Sequence, residues 1–137
     1  NHGVKEMIRL LSGPELADQW HKLRPLVEEA LVHGGGMVTS HGLFLQCLGA
    51  IGQCWIRGEG EVCMTRFEEI EGKKQLAVVA CTSPGWFTHG PEILKILEDF
   101  ARFNDCKRTV VYGRKGWARA LKQYGYNEPF ITLTKEV

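Results

Sequence analysis

An uninterrupted apolar run at residues 76–81, with the sequence Leu-Ala-Val-Val-Ala-Cys, limits the fold of this chain more than any other feature. The run lies in a predicted strand over residues 75–82. A strand with apolar side chains on both faces has to be covered on both faces, which is typical of a central strand in an α/β sheet. The run therefore predicts a sheet with helices packed on either side of it.

The segment after this strand predicts a crossover connection. A loop over residues 83–90 leads to Pro91, which begins a helix with one apolar stripe and a charged opposite face. A strand over residues 107–112 follows, and strand–helix–strand units of this kind are right-handed and join parallel strands. We therefore predict that strands 75–82 and 107–112 are parallel neighbours that separate at their carboxyl ends.

The rest of the chain adds helices and antiparallel strands to this unit. Ser12, with Glu15 three residues later, has the pattern of a helix N-cap, and Pro25 inside the helical pattern predicts a kink or two consecutive helices. The prediction for the whole chain is an α/β fold with a mixed central sheet flanked by helices. Its other elements are a strand over 7–11, a helical region from 12 to the glycines 34–36, a helix over 39–51, strands over 53–57 and 61–69 with a turn at 58–60, a turn at 72–74, a helix over 114–124 and a strand over 130–135.

Size and composition favour one soluble domain. The chain has 137 residues, of which 44% are hydrophobic and 24% charged, and its net charge is +1. These values are ordinary for a globular protein, and the small net charge gives no sign of a nucleic-acid or membrane partner. No apolar run is long enough to span a bilayer or has the position of a signal peptide. We predict a single cytoplasmic domain over residues 1–137, with residues 1–6 as a disordered leader.

The cysteines give no sign of a disulfide framework or a metal site. There are five, an odd number, and no two are spaced as Cys-x-x-Cys, which argues against paired disulfides and against a zinc ribbon. His41, Cys47, Cys54 and Cys63 could be combined into a metal site on paper. Their apolar neighbours favour the interpretation that these cysteines, and Cys81, are small buried side chains. We expect no metal.

Two parts of the chain resemble a known family. The closing part of the chain comprises residues 112–121 (Tyr-Gly-Arg-Lys-Gly-Trp-Ala-Arg-Ala-Leu), Gly-Tyr at 125–126 and Leu-Thr-Lys-Glu at 133–136. It resembles the C-terminal half of small proteins of tailed phages and prophages that are similar to GCN5-related N-acetyltransferases (GNAT). Residues 54–57 and the strand from Glu61 are similar to the same group, in particular to small GNAT-like proteins of tailed phages and prophages. The resemblance implies a GNAT-like fold, acetyl-CoA as the cofactor and an amine as the acceptor.

The resemblance also implies where acetyl-CoA binds. Its place is between strands 75–82 and 107–112, with the pyrophosphate on backbone N–H groups where the long loop meets the helix, because a helix N-terminus attracts anions. The family's usual loop pattern (Arg or Gln, two residues, Gly, any residue, Gly or Ala) is absent, and Pro91 has no N–H to donate. The loop residues at this place are Phe87, Thr88, His89 and Gly90.

A basic segment follows the crossover. Six basic residues and no acidic residue lie between Lys107 and Tyr126. Arg114, Lys115 and Arg119 are the candidates for binding the phosphates of CoA, and the alternative is a solvated helix face. Nucleic-acid binding is disfavoured because no aromatic side chains alternate with these charges for base stacking.

The catalytic candidates are Glu68 and Glu69, on a strand that leads towards the same place. Either carboxylate could deprotonate an amine, and the alternative is that both face solvent. In the family, a tyrosine four residues before the terminal glycine protonates the departing thiolate, whereas Leu121 has that position here and Arg114 replaces an asparagine. Two hypotheses stay open. One is an N-acyltransferase that uses acetyl-CoA; the other is a protein without cofactor that acts as a binding or assembly component, as a homodimer or with a phage protein.

All five cysteines are expected to react as free thiols after the unreduced protein is unfolded in denaturant, because the odd count and the predicted compartment provide no framework for pairing. Titration with a chromogenic thiol reagent measures this number. A native disulfide, or zinc bound in stoichiometric amount, would contradict both the predicted compartment and the predicted role of the cysteines.

Overall fold

The computed structural model describes residues 7–32, 37–82, 91–113, 115–129 and 131–137. Within these ranges no helix is long and apolar enough to cross a membrane. The predicted leader at 1–6, the glycines 34–36 and the loop 83–90 lie outside the described residues. The elements in chain order are β1 (Arg9–Leu10), α1 (Gly13–Leu31), α2 (Ser40–Leu48), β2 (Gly52–Arg57), β3 (Glu61–Ile70), β4 (Lys73–Cys81), α3 (Pro91–Phe103), β5 (Arg108–Val111) and α4 (Lys115–Lys122).

The strands of the described ranges form one five-stranded sheet in the order β1-β2-β3-β4-β5. Neighbouring strands are antiparallel except for β4 and β5, which are parallel and pair from Gln75 opposite Arg108 to Val78 opposite Val111. The predicted α/β fold with a mixed central sheet is confirmed, and so is the parallel pairing across the crossover helix.

Helices cover both faces of the central strand, which confirms the interpretation of the apolar run at residues 76–81. The face towards α3 and α4 contains the buried side chains of Trp55, Cys63, Leu76, Val78, Cys81, Ile93, Leu94, Leu97, Ala101 and Leu121. The face towards α1 and α2 contains those of Leu11, Leu16, Leu23, Val27, Leu43, Cys54, Val62, Met64 and Ala80. Three of the cysteines are therefore core residues, as predicted, whereas Cys47 is only partly buried.

β4 contains one residue more than the part of β3 that it pairs with. Thr65 pairs with Val78 and Met64 pairs with Ala80, so Val79 has no partner residue on β3. A β-bulge of this kind bends the strand and shifts the alternation of its side chains by one position. Val78 therefore faces α3 and α4, whereas Ala80, two residues further along, faces α1 and α2.

The β3–β4 hairpin has a shorter turn than predicted. Glu71 and Gly72 have φ angles of 50° and 79°, and two successive positive φ values are those of a two-residue type I′ turn. β4 begins at Lys73, so the predicted turn over residues 72–74 is wrong, and Lys73 and Lys74 belong to the strand.

The beginning of α1 has the predicted cap, and its middle differs from the prediction. Ser12 Oγ accepts a hydrogen bond from the backbone N–H of Glu15 at 3.2 Å, and Glu15 Oε1 accepts one from the backbone N–H of Ser12 at 3.0 Å. The helix then runs through Pro25 to Leu31, so the alternative of two consecutive helices is wrong. Leu23 and Val27, on either side of the proline, are buried. Their burial is worth about 3–6 kcal/mol together, enough to offset the roughly 3 kcal/mol that a proline costs inside a helix.

The end of the chain also differs from the prediction. Residues 131–137 form neither strand nor helix, so the closing strand expected over residues 130–135 is wrong for its described part. A strand needs a neighbouring backbone, and in the described part of the sheet β5 pairs only with β4. Ile131 and Leu133 are 71% and 86% exposed.

The hydroxyl of Thr65 lies at the centre of a buried hydrogen-bond chain, where it accepts from Trp55 Nε1 at 2.9 Å and donates to Gln53 Oε1 at 2.7 Å. We expect Thr65→Val to lower the free energy of unfolding by about 2–4 kcal/mol, because it leaves two buried polar groups without partners. Thr65→Ser keeps the hydroxyl and should cost about 1 kcal/mol for the lost methyl group. Chemical denaturation compares the two variants, and equal losses would show that the hydroxyl contributes nothing.

Candidate functional site

Pairing between β4 and β5 ends before β4 does. The Tyr112 N–H donates to the Val78 carbonyl at 3.0 Å, and the bulged Val79 follows directly. β4 continues to Cys81, but within the described residues no strand pairs with residues 79–81 on the side of β5. The pairing therefore ends at Val78 and Val111, and the predicted separation of the two strands stays a prediction. We call the edge of β4 at residues 79–81, which begins beside Tyr112 and has no described strand partner, the β4–β5 gap.

The chain passes from β4 to α3 at the same edge of the sheet. α3 begins at Pro91, and its first turn also contains Glu92. A helix N-terminus attracts anions, but the proline has no N–H and the glutamate adds a negative charge, so this N-terminus is weaker than an ordinary one. The predicted phosphate-binding residues of the preceding loop lie outside the described residues: Phe87, Thr88, His89 and Gly90.

α4 begins close to the end of β5 because Gly113 permits a tight approach. A Cβ at Gly113 would lie 2.2 Å from Cε3 of Trp117, a distance that only glycine avoids. Arg119 is exposed on this helix, so its charge is accessible to an anion. The other two predicted phosphate ligands, Arg114 and the side chain of Lys115, lie outside the described residues.

The position of the family's proton-donating tyrosine is occupied by a core residue. Leu121 is 5% exposed and packs with α3 and the sheet. Tyr124 packs against the same core and is partly buried. A proton donor for this site must therefore come from another element.

Five polar side chains form a hydrogen-bonded cluster on the sheet, and we call them the Glu68 cluster. Glu68 Oε1 accepts from the Tyr112 hydroxyl at 2.7 Å and from Gln75 Nε2 at 3.0 Å. Glu68 Oε2 accepts from Arg66 Nε at 3.1 Å, and Gln75 Oε1 accepts from Arg108 Nε at 2.7 Å. The cluster joins β3, β4 and β5, and its tyrosine borders the β4–β5 gap.

The two predicted catalytic carboxylates lie on opposite faces of β3. Successive side chains of a strand alternate, so Glu68 shares the face of Arg66 whereas Glu69 shares the face of Phe67, which packs against α3. The Glu68 side chain is 19% exposed and belongs to the cluster. Glu69 is exposed at the end of its strand. The structure therefore brings Glu68, and not Glu69, together with other polar groups.

The surroundings set opposite protonation states for Glu68 and Tyr112. Burial opposes the ionisation of Glu68, but hydrogen bonds from Tyr112, Gln75 and Arg66 outweigh it and lower the pKa of the carboxyl group. Burial, together with the nearby carboxylate, raises the pKa of Tyr112 to about 12. At neutral pH the cluster therefore contains a carboxylate and a protonated phenol.

The sequence analysis assigned no role to Tyr112, although one signal was present. Side chains on one face of a strand recur at every second residue, which places Arg108, Val110 and Tyr112 on a common face. The partner of Tyr112 could not be found in this way, because Glu68 is two strands away and its register depends on the hairpin turn and on the pairing of β4 with β5.

A cavity of about 290 Å³ lies elsewhere in the protein. It is at the start of β2 and the end of α3, whereas the β4–β5 gap is near the beginning of α3. This helix has 13 residues and is therefore about 20 Å long, so the cavity is remote from the gap. Its lining contains no charged side chain and includes Leu10, Gly13, Ala50, Gln53, Phe100 and Asn104.

Comparison with protein-family models and with curated proteins gives no match. Solved structures do match over nearly the whole chain. A predicted acetyltransferase with acetyl-CoA from Clostridium acetobutylicum is 10% identical with a TM-score of 0.65, over 93% of this chain and 95% of that one. Glucosamine-6-phosphate N-acetyltransferase from Arabidopsis thaliana is 16% identical with a TM-score of 0.64, over 97% and 99%.

Ribosomal-protein-alanine N-acetyltransferase from Brucella melitensis biovar Abortus 2308 is a third neighbour, 10% identical with a TM-score of 0.63 over 96% of this chain and 99% of that one. The names of the second and third neighbours give different acceptors, and the low identities of all three show a shared fold alone. The predicted GNAT-like fold is thereby confirmed.

Removing the charge of Glu68 should lower the pKa of Tyr112 from about 12 towards its ordinary value of 10, because the carboxylate opposes formation of the phenolate. We expect Glu68→Gln to do so and Glu69→Gln, on the other face of β3, to have no effect. The ring-carbon shift of Tyr112 in NMR follows this titration. An unchanged pKa in Glu68→Gln would show that the hydrogen bond is not formed in solution.

The raised pKa of Tyr112 also affects the stability of the protein at high pH. Because the pKa of Tyr112 is higher in the folded than in the unfolded chain, the unfolded chain loses the phenolic proton first. Stability due to this group is complete below pH 10 and is lost as the pH rises to about 12. The decline in the free energy of unfolding over this interval should therefore be smaller in Tyr112→Phe than in the unchanged protein, as measured by denaturation at each pH.

Proposed function

We propose that this protein is an N-acetyltransferase that transfers the acetyl group of acetyl-CoA directly to an amine. The observation that carries the proposal is the end of β4–β5 pairing at the bulge, in a fold whose structural neighbours include an acetyltransferase with acetyl-CoA. An unpaired strand edge offers backbone N–H and C=O groups to a ligand that contains amides. The amide-containing arm of CoA fits such an edge.

The proposed phosphate contacts lie at the end of the gap near α3 and α4. The pyrophosphate would bind at residues 87–90, before the N-terminus of α3, and Arg119 would bind a phosphate together with Arg114 and Lys115. Arg119 supports this proposal because its charge is exposed on a helix that begins beside the gap. Acetyl-CoA supplies a thioester, whose carbonyl carbon the amine attacks.

Within this proposal, Glu68 binds the acceptor amine rather than deprotonating it. Its pKa is below the ordinary value of 4.5, whereas an alkylammonium has a pKa of about 10.4. Proton transfer between groups that differ by about 6 units is uphill by roughly 8 kcal/mol. A carboxylate of this kind holds an ammonium group by charge, and solvent takes the proton.

Tyr112 would serve as a hydrogen-bond donor. An ordinary thiol has a pKa of about 8.5, whereas that of Tyr112 is about 12, so the phenol does not give up its proton to a departing thiolate. Its one O–H hydrogen is donated to Glu68 Oε1 at 2.7 Å, so within this proposal the phenol holds the carboxylate in place for the acceptor ammonium.

We expect acetyl-CoA to bind weakly, with a Kd above about 10 μM, or less than roughly 7 kcal/mol of binding free energy. Pro91 withholds one N–H, and the loop glycines do not have the spacing of the family's pattern. The remaining affinity should fall with added salt, because the charges that provide it are exposed. Isothermal titration calorimetry measures both, and nanomolar binding independent of salt would contradict this account.

A charge-reversal pair tests the proposed phosphate contacts. Arg119→Glu should weaken acetyl-CoA binding, and Arg114→Glu with Lys115→Glu should abolish it without unfolding the protein. Lys22→Glu changes the charge by the same amount on α1, on the other face of the sheet, and should have no effect. Equal effects of Arg119→Glu and Lys22→Glu would contradict the assignment.

Release of CoA thiol in the presence of a panel of amines tests the activity itself. The rate should rise with pH up to the pKa of the acceptor amine, because solvent, and not Glu68, deprotonates it. Glu68→Gln should raise KM for the amine, whereas Glu69→Gln should not. The absence of thiol release with every amine would favour the alternative, a binding or assembly component; the resemblance to phage proteins stays a prediction in either case.

A further inference from the structure

We infer that the acceptor carries an anionic group, a phosphate or a carboxylate, close to its amine, and that Arg66 and Arg108 bind this anion. The anion site itself stands on the structure of the Glu68 cluster. Its assignment to an acceptor rests on the proposed function.

The two arginines lie on one face of the sheet on either side of the glutamate. Glu68 is opposite Gln75, and Gln75 is opposite Arg108, so these three side chains form one row across β3, β4 and β5. Arg66 lies one step along the same face, in the row of Ala77. Ala77 itself is completely buried, so the anion would lie on the solvent side of the two guanidinium groups and not against the alanine.

The hydrogen bonds of the cluster leave the terminal nitrogens of both arginines available. Arg108 and Arg66 each donate through Nε, to Gln75 and to Glu68. Among the described residues, neither donates through Nη1 or Nη2 to another protein group. A guanidinium group has five N–H donors in a planar fork that matches the oxygens of a phosphate or carboxylate.

The charges on this face favour an anion. The cluster has two guanidinium groups and one carboxylate, a net charge of +1. Lys73 lies on the same face of β4, two residues before Gln75, and adds another positive charge. Glu68 is the one acidic residue on this face of the described β3, β4 and β5. An amine on Glu68 and an anion on the arginines would therefore each meet the opposite charge.

An arginine on a solvated surface is mobile. Arg108 differs from such an arginine because it is bonded to a buried glutamine, Gln75. Gln75 is 4% exposed, and both of its amide atoms are used, Oε1 by Arg108 and Nε2 by Glu68. The glutamine thus holds Arg108 at a fixed place relative to Glu68. Ordered donors bind an anion with a smaller loss of side-chain entropy than free ones.

Inorganic phosphate tests the anion site without acetyl-CoA or an acceptor. At constant ionic strength, phosphate should shift the Nε–Hε NMR signals of Arg66 and Arg108 in a saturable way, and acetate shows whether a carboxylate suffices. Arg24 is the matched control. Its Nε also donates to a carboxylate, that of Glu28 at 3.0 Å, but this pair lies on the exposed surface of α1 and outside the cluster. Signals of Arg66 and Arg108 that follow Arg24 without saturation would overturn the inference.

Two variants separate charge from geometry in this titration. Arg108→Gln should abolish the saturable shift of Arg66, whereas Arg108→Lys, which keeps the charge but not the planar fork, should leave a weaker one. A thermal unfolding curve of each variant confirms that it is folded. A full shift of Arg66 in folded Arg108→Gln would overturn the role of Arg108.

Matched acceptors test the substrate class. If the anion is a phosphate, we expect 2-aminoethyl phosphate to be preferred over ethanolamine; if it is a carboxylate, we expect β-alanine to be preferred over its amide. The preference should be about tenfold or more in kcat/KM, which is the size expected of a charge-assisted hydrogen bond. It should arise from a lower KM. Arg108→Gln should remove this preference, so that the ratio of the two kcat/KM values approaches one. Transfer with equal preference for neutral amines would overturn the inference. Saturable phosphate binding without any acetyl transfer would contradict the proposed function and leave the anion site intact.

Discussion

Pairing between β4 and β5 stops at Val78, one residue before the bulge at Val79, and much of the remaining structure depends on this coincidence. The extra residue turns Ala80 towards α1 and α2 and Cys81 towards α3 and α4. In a regular strand Ala80 would share the face of Val78, and each core would lose a side chain that it now contains. The packing on both faces of β4 is therefore a consequence of the same inserted residue.

The Glu68 cluster joins three strands in register, and its row of Glu68, Gln75 and Arg108 lies about 13 Å along the sheet from Val79. Tyr112 is the first residue after β5, so it borders the gap, and its hydroxyl reaches Glu68 on β3. Gln75 lies between them on the central strand and is buried, which fixes the distance between the carboxylate and Arg108. Donors that are fixed before a ligand arrives lose little freedom on binding, so rigidity of the sheet contributes directly to recognition. The proposed function and the proposed acceptor both depend on this arrangement.

The features predicted correctly from sequence are those that local chemistry determines. The apolar run at 76–81 requires cover on both faces, and the cap of Ser12 and Glu15 is set within one turn of helix. The features that were missed depend on contacts between distant residues. Burial on either side of Pro25 keeps α1 continuous, and no pattern in residues 76–81 shows which of them is extra. Without the bulge and the register, the hydrogen bond between Tyr112 and Glu68 could not be foreseen, and Glu68 could not be separated from Glu69.

The segment at residues 131–137 has a consequence for the handling of the protein. Ile131 and Leu133 alternate with Thr132 and Thr134, the apolar side chains are exposed, and the segment is not part of a strand. A segment with this alternation, whose backbone groups are available for pairing, can pair with another extended chain. Such pairing leads to aggregation. Lys135 and Glu136 follow immediately. Natural sequences place charges next to such segments to prevent two segments from pairing. Solubility at high concentration should therefore depend on these two charges more than on the balanced charge of the whole chain.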